Sequence, residues 1–132
     1  MIRRANSEDL PYITHALAQK RIDFIPATSA KEDIALGRMF VIERNGKPIA
    51  QAVLLYDERH DYWAIKRMCC YRKENKGGIA REFLEFFCAS GVSPLGCTPW
   101  ANNPGLIHLL EIFGFEYQYT FLENYLFYKK SA

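Results

Sequence analysis

The amino-acid sequence predicts an α/β (α+β) fold in which about four helices flank a central mixed, mostly antiparallel sheet. The dipeptide Asn45-Gly46 joins two strand-like runs within residues 39–71, and Asn-Gly between such runs is a strong hairpin signal. A strand, the Gly77-Gly78 turn, a helix and another strand then form a β-α-β unit, whose two strands should lie parallel. Alternating residues over 115–130 indicate a final hairpin.

Two helices are predicted before the first of these strands. Ser7 is the expected N-cap of the first helix, because its hydroxyl can accept a hydrogen bond from a backbone N–H that the helix leaves unpaired. The apolar residues that follow at helical spacing are Leu10, Ile13 and Leu17. After a loop over 21–28, Ser29 and Glu32 have the spacing of a capping box. They predict the start of a short second helix that ends at Gly37.

The strands and the later helices are placed by their apolar patterns and by the turn residues between them. The predicted strands are Met39–Glu43, Ile49–Tyr56, Asp61–Tyr71, Leu95–Thr98, Phe115–Thr120 and Tyr125–Lys130. A helix over Ile79–Ser90 is expected to end at Gly91. Asn103 is the expected N-cap of a last helix, with Pro104 at its first position and Gly114 at its end.

The composition indicates one soluble globular domain over residues 1–132, with 49% hydrophobic and 24% charged residues. The net charge of +2 and the pI near 8.3 are too low to suggest a nucleic-acid partner. No apolar run reaches the roughly 18 residues of a membrane helix, and no apolar signal core follows the first arginines. We therefore expect a cytoplasmic protein without membrane contact. The four cysteines lack zinc spacing, so we expect reduced thiols and no metal site.

The turn Asn75-Lys76-Gly77-Gly78-Ile79-Ala80 is the central candidate for a binding site. Unpaired backbone N–H groups at the start of a helix can bind an anion, and the helix dipole adds positive potential. Glycine lets the backbone approach a phosphate closely. A plain strand-to-helix turn also favours glycine, so these residues alone leave both interpretations open.

Three segments resemble the GNAT family (Gcn5-related N-acetyltransferases). The phosphate motif of that family, Gln/Arg-x-x-Gly-x-Gly/Ala, is similar to Asn75, Gly78 and Ala80, with Asn75 as the departure. The last helix of the family, Asn-x-x-Ala-x-x-Leu-Tyr-Glu-x-x-Gly-Phe, is similar to residues 103–115. The matching residues there are Asn103, Leu109, Glu111, Gly114 and Phe115. The opening segment 2–10 is similar to the family's first strand and helix, so the resemblance covers nearly the whole chain.

The resemblance implies an N-acyltransferase that moves the acetyl group of acetyl-coenzyme A to a primary amine. In that family the backbone of the fourth strand binds the pantetheine arm and polarises the thioester carbonyl, as an oxyanion hole does. The residues implied for coenzyme A binding are Met68, Cys69, Cys70, Asn75, Lys76, Gly77, Gly78, Ile79, Ala80 and Asn103. The basic side chains Arg72, Lys73 and Lys76 would suit its phosphates.

The acid and the base of such a reaction follow the family pattern less closely. Leu110 stands where many family members have a tyrosine that protonates the leaving thiolate. The side chains that could replace that acid are His108, Tyr117, Tyr119 and Tyr125. An amine with a pKa of about 10.4 needs a base at neutral pH. The candidates for that base, at the start of the fourth strand, are Asp61, His60 and Glu58.

Other interpretations stay open at this point. Leu110 and Asn75 also fit a catalytically weak or inactive module of the same fold that binds coenzyme A or a protein partner. An unrelated α/β interaction domain would require the three matches to be coincidental. Cys69 or Cys70 could carry an acyl group as a nucleophile, although buried strand cysteines fit better. For an enzyme, the expected partner is a small-molecule or peptide amine, and the chain could pair as a homodimer.

Overall fold

Short helices and strands account for most of the residues that the computed structural model describes, which are 1–18, 27–71, 77–122 and 124–131. The strands are β1 (Ile2–Arg4), β2 (Met39–Arg44), β3 (Lys47–Asp57), β4 (Tyr62–Cys70), β5 (Leu95–Cys97), β6 (Glu116–Phe121) and β7 (Tyr125–Lys130). The α-helices are α1 (Leu10–Ala18), α2 (Ala27–Ala35), α3 (Ile79–Ala89) and α4 (Pro104–Ile112), and a 3-10 turn at Ser7–Asp9 precedes α1.

The strands form one sheet in the order β1-β2-β3-β4-β5-β7-β6. In the register described for β4 and β5, Trp63 lies opposite Leu95 and the two strands run parallel. The other four described pairings, β1–β2, β2–β3, β5–β7 and β6–β7, are antiparallel. The predicted mixed, mostly antiparallel sheet is confirmed, and so is the β-α-β unit.

The first of two compact units comprises Met1–Leu54 and Arg67–Ile79. Its core is apolar, as the burial of β2 and β3 residues on both faces of the sheet requires. The fully buried residues include Ile13, Ala30, Met39, Val41, Ile42, Ala50, Ala52 and Val53. Three polar side chains, Asp9, Asp33 and Gln51, are buried with them. A buried polar group is costly unless it is hydrogen-bonded, and all three have partners within this unit.

The second compact unit comprises Leu55–Lys66 and Ala80–Ala132. Tyr62, Ala64 and Phe127 form a buried cluster in it, against which Phe121 packs. The buried residues of α3 in this unit are Phe83, Leu84 and Phe87. Phe86 of the same helix is only half-buried.

Two predicted helix starts were wrong. Asn6, and not Ser7, is the first N-cap: its side chain accepts from the Glu8 N–H at 2.9 Å, and Asp9 Oδ2 accepts from the Asn6 N–H at 2.8 Å. The residue three positions after Ser7 is Leu10, which has no side-chain acceptor to complete such a capping box. Helix α2 begins at Ala27, so Ser29 lies within its first turn and is not its cap.

Several predicted ends differ by one residue. The strand predicted over Asp61–Tyr71 spans Tyr62–Cys70, and the strand predicted to end at Thr98 ends at Cys97. Helix α3 ends at Ala89, one residue before the predicted end. Differences of this size are usual at element ends, where hydrogen bonds fray.

Candidate functional site

The second half of β4 carries the predicted backbone site. The described pairing of β4 with β5 ends at Ile65 and Cys97, and β5 ends at the same residue, whereas β4 continues to Cys70. Residues Met68, Cys69 and Cys70 therefore lie beyond the register that β5 provides, and they are half-buried. An extended ligand can follow such a segment and bind its backbone, as in strand addition.

The strand geometry changes just before this segment. Arg67 has a φ of 52°, in the left-handed region that residues with a Cβ rarely adopt. Strained residues of this kind cluster at functional sites. The sequence around Arg67 does not by itself predict this conformation. The neighbouring strand β3 contains one unusual residue, because Gln51 is the one polar residue in the otherwise apolar run 49–55.

The glycine turn has the geometry expected of an anion site. Gly78 has a φ of 78° and directly precedes α3, which begins at Ile79. Gly77 and Gly78 are exposed, and a Cβ added at either would meet no atom within 4 Å. Ile79 is buried beneath the turn and Ala80 is half-buried. The first N–H groups of α3 thus start beside exposed glycine backbone, as phosphate binding requires.

Part of the predicted site cannot be placed. Asn75 and Lys76, together with Arg72 and Lys73, lie outside the described residues. Their assignment to coenzyme A phosphates stays a prediction from the sequence.

The candidate base Asp61 is exposed and lies at a turn, with a φ of 54°. Its Oδ1 accepts a hydrogen bond from the Tyr56 hydroxyl, and the Tyr56 ring lies 5.2 Å from the Trp63 ring. The hydrogen bond to Asp61 raises the pKa of Tyr56, because the protonated phenol is the form that donates it. His60 directly precedes Asp61 in the chain, and its Nδ1 lies 3.3 Å from Asp57 Oδ1. These contacts combine exposed aromatic rings with carboxylates, an arrangement that suits an amine.

Helix α4 shows what Asn103 and Leu110 do in this chain. Asn103 is the confirmed N-cap, since its Oδ1 accepts from the Leu106 N–H at 3.3 Å. Capping alone accounts for the asparagine, and the predicted cofactor contact of Asn103 stays untested. Leu110 is fully buried at 0% exposure, whereas His108, two residues earlier, is exposed. A tyrosine at 110 would have to find space in the core or turn out of it.

The tyrosine candidates lie on the last hairpin. Tyr117 is 52% exposed, its hydroxyl lies 2.6 Å from Thr120 Oγ1, and its ring packs edge-on against Tyr128. Tyr119 is also exposed, and Tyr125 stacks on Phe121. Asp61, His108 and Tyr117 are the first candidates for catalysis, and in the described part of the chain no hydrogen bond joins any two of them. Their catalytic roles therefore stay predictions.

The thiols of β4 and β5 are poorly suited to nucleophilic catalysis. Burial raises the pKa of Cys69 to about 12, and burial does the same for Cys97. The Cys70 thiol donates a hydrogen bond to the Ile49 carbonyl oxygen at 3.5 Å. A thiol with a pKa near 12 is almost wholly protonated at neutral pH, and the thiolate is the reactive form. None of the four cysteines, which all lie in the described segments, forms a disulfide.

Metal and membrane sites were also considered. The described segments contain no cluster of three or more His, Cys, Asp or Glu side chains that could hold a metal ion. Every helix in those segments falls short of the length and apolarity needed to cross a bilayer.

The structure is similar along its length to solved acetyltransferases. A GNAT-family acetyltransferase from Streptococcus agalactiae superposes with a TM-score of 0.81 at 16% identity, covering 100% of this chain and 95% of that one. A ribosomal-protein-alanine N-acetyltransferase from Brucella melitensis gives 0.75 at 19% identity, covering 100% and 99%. The ribosomal-protein-S18-alanine N-acetyltransferase from Escherichia coli gives 0.72 at 18% identity, covering 99% and 92%.

The likeness lies in structure and not in sequence. No family model matches the chain, and no curated protein matches it in sequence. The parallel β4–β5 pair and the glycine turn before α3 nevertheless agree with the resemblance that the three sequence segments indicated. The chain has the fold of the GNAT acetyltransferases.

Proposed function

We propose that the protein is an acyl-coenzyme A-dependent N-acyltransferase that moves an acetyl group to a primary amine. The observation that carries the proposal is the backbone arrangement in this fold. An exposed glycine at positive φ opens α3, and the end of β4 extends beyond its partner strand β5. The backbone of Gly77–Ile79 and the backbone of Met68–Cys70, which both belong to the first compact unit, would offer N–H groups to a ligand.

The glycine turn would hold the pyrophosphate. A Cβ at Gly77 or Gly78 would meet no protein atom within 4 Å, so the backbone is open from outside. Phosphate oxygens there would accept from the first N–H groups of α3, and the positive end of the helix dipole would favour their charge. Arg72, Lys73 and Lys76, which precede the turn, would add positive charge.

The backbone of Met68–Cys70 would bind the pantetheine arm and the acyl carbonyl. A backbone N–H that points at this oxygen stabilises the negative charge that develops when an amine attacks it. The thioester supplies a reactive acyl group and a thiolate leaving group. Because a thiolate leaves readily, an amine can displace it without a strong protein acid, so leucine at position 110 would slow the reaction without abolishing it.

The surface around Tyr56 and Asp61 has groups that would bind an amine. The Asp61 carboxylate accepts a hydrogen bond from the Tyr56 hydroxyl. It would in the same way accept a hydrogen bond from an ammonium group or take a proton from that group. The exposed Trp63 ring lies beside Tyr56 and would attract a cation through its face. We infer a small-molecule or peptide amine as the acceptor. The Brucella melitensis and Escherichia coli proteins are named for ribosomal-protein alanine as acceptor, which makes an N-terminal alanine peptide a rational member of a panel.

The test combines turnover with cofactor binding. Thiol release from acetyl-coenzyme A is measured with spermidine, a lysine peptide and an N-terminal alanine peptide, and coenzyme A affinity is measured by calorimetry. Gly78→Ala should weaken coenzyme A binding by about tenfold or more, which is about 1.4 kcal/mol. The reason is that the methyl group stands where the phosphates approach.

Gly91→Ala is the matched control. Gly91 has a φ of 83°, and a Cβ there also meets no atom within 4 Å, so both variants impose the same backbone strain. Equal coenzyme A affinity of the two variants would show that the Gly78 turn binds no phosphate. Binding without thiol release from any amine would instead indicate a coenzyme A-binding module and contradict the enzyme proposal.

A further inference from the structure

Arg67 marks a local break in β4 that lies next to the proposed acyl site. Its φ of 52° comes two residues after Ile65, the last β4 residue in the described register with β5. A residue at left-handed φ inside a strand re-aims the backbone that follows it. The backbone that follows is Met68–Cys70. Such a conformation persists only where the surrounding structure holds it in place.

Gln51 on β3 holds this break through its side-chain amide. The side chain is fully buried at 0% exposure, and its Nε2 donates to the Arg67 carbonyl oxygen at 3.3 Å. The Tyr71 hydroxyl donates to Gln51 Oε1 at 2.8 Å. The Arg67 carbonyl can only accept, so the Nε2 group must face it, and the Tyr71 hydroxyl, which can donate or accept, therefore donates to Oε1. Burial raises the pKa of Tyr71 well above its usual range, so the hydroxyl keeps the proton that it donates.

The far end of the segment is also anchored. The Tyr71 N–H donates to the Ile49 carbonyl oxygen at 2.8 Å, so the backbone of β4 is tied to β3 on both sides of Met68–Cys70. The Arg67 side chain gives a second hold, because its guanidinium pairs with Asp33 of α2, whose side chain is 1% exposed. Arg38 Nη2 pairs with the same carboxylate at 3.0 Å, which balances its buried charge.

A purely structural role would not favour glutamine at this position. The neighbours of Gln51 on β3, Ala50 and Ala52, are fully buried, and the position itself is inaccessible to water. An apolar side chain there would avoid the cost of burying an amide. Both ends of the Gln51 amide instead form hydrogen bonds. Its Nε2 group donates to the carbonyl of Arg67, which is the one residue of β4 with a positive φ.

We propose that Gln51 and Tyr71 are positioning residues, which aim the backbone groups of Met68–Cys70 at the acyl carbonyl of the bound thioester. This inference rests on the proposed acyltransferase function. The clamp, defined as Gln51, Tyr71 and the Arg67 carbonyl, acts on the acyl end of the ligand only. Coenzyme A without an acyl group should therefore bind almost independently of the clamp, whereas acyl transfer should depend on it.

The experiment uses Gln51→Met, which keeps the length of the side chain and removes both hydrogen bonds of the amide. With the best amine of the panel, kcat should fall by about 10- to 100-fold, since small misplacements of catalytic groups cost that much. The affinity for coenzyme A, measured by calorimetry, should change by less than about threefold. Tyr71→Phe removes only the orienting hydroxyl, so it should give a smaller loss in kcat. The double variant should lose no more than Gln51→Met alone, because both changes disable the same clamp.

Ile13→Val is the control for lost stability, because Ile13 is fully buried on α1 and lies outside the clamp. It should lower the melting temperature and leave kcat unchanged. If Gln51→Met only lowers the melting temperature, or lowers coenzyme A affinity as much as kcat, the clamp has no positioning role. If Gln51→Met does not fold, Tyr71→Phe decides: unchanged kcat overturns the inference. A wild-type chain that neither binds coenzyme A nor releases its thiol overturns the proposed function and this inference together, before any variant is made.

Discussion

Gly96 of β5 lies where two aromatic rings of the buried cluster meet. The Tyr62 and Phe127 rings are 5.0 Å apart, and both side chains are buried. A Cβ added at Gly96 would overlap the Tyr62 ring and would lie 3.0 Å from Phe127 Cε1. Gly96→Ala should therefore lower the free energy of unfolding by about 1–3 kcal/mol, because a packed core must shift to admit one extra methyl group. Urea denaturation followed by circular dichroism measures this loss.

Gly105→Ala serves as the control for the Gly96 prediction. Gly105 lies in the first turn of α4, and an added Cβ would come no closer than 4.0 Å to Asn103 Oδ1. Alanine is a better helix former than glycine, so this variant should be neutral or more stable than the wild type. Similar stability of the two variants would show that the Tyr62 ring moves aside without cost.

Residue-scale features could be predicted where a local rule decides them. The glycine turn before α3 and the Asn103 N-cap both follow from turn and helix chemistry alone, and the structure confirms the position of each. Asn6 was missed because Ser7 is an equally good capping residue by type, and only the acceptor three residues later distinguishes them. The strained φ of Arg67 could not be predicted, since it depends on Gln51 and Asp33 from other elements.

At the scale of elements, the start of the first helix is tied to β1 by a partly buried ion pair. Arg3 donates through Nη1 and Nη2 to the two carboxylate oxygens of Asp9, each at 2.8 Å, and the Asn6 N–H donates to Asp9 as well. Burial acts to raise the pKa of Asp9, but these donors outweigh burial and hold the pKa below its ordinary value. Asp9→Asn should therefore cost about 1–3 kcal/mol at neutral pH.

The pH dependence follows from the sign of that shift. A carboxyl with a lowered folded-state pKa contributes stability above its unfolded pKa of about 4, and this contribution is lost as the pH falls through the lower folded value. The difference in unfolding free energy between wild type and Asp9→Asn should thus be constant from pH 7 to about pH 5 and shrink below about pH 4. Glu8→Gln changes an exposed neighbouring carboxylate and should leave stability nearly unchanged. A difference that grows towards acid pH would contradict the ion-pair account.

Most elements could be predicted because the periodic patterns and turn residues are local. The Asn45-Gly46 hairpin, the β-α-β unit and the last hairpin all form as expected. What could not be predicted is that β7 joins β5 and leaves β6 at the edge. Both strands of that hairpin carry similar alternating aromatic residues, so sequence pattern alone does not choose between them.

At the scale of the whole molecule, the distribution of charge distinguishes a site for a cofactor with few phosphates from a nucleic-acid surface. The net charge is only +2, yet Arg72, Lys73 and Lys76 fall within five positions before the Gly77-Gly78 turn. A small concentrated charge suits the few phosphates of one cofactor, whereas a duplex needs a long basic face.

The final prediction therefore concerns salt and the ribose phosphate of coenzyme A. If Arg72, Lys73 and Lys76 bind its phosphates, coenzyme A affinity should fall between about 0.05 M and 0.5 M salt, because exposed charge pairs are screened over about 10 Å. A 3′-dephospho analogue should bind more weakly at low salt and show a smaller salt dependence, since it presents less charge. Calorimetry measures both ligands, and an oligonucleotide of matched phosphate count is the control. Equal, salt-independent affinity of the two cofactors would remove these side chains from the cofactor site. Tight, salt-sensitive binding of the oligonucleotide would instead point to a nucleic-acid ligand, because counterion release dominates that kind of binding.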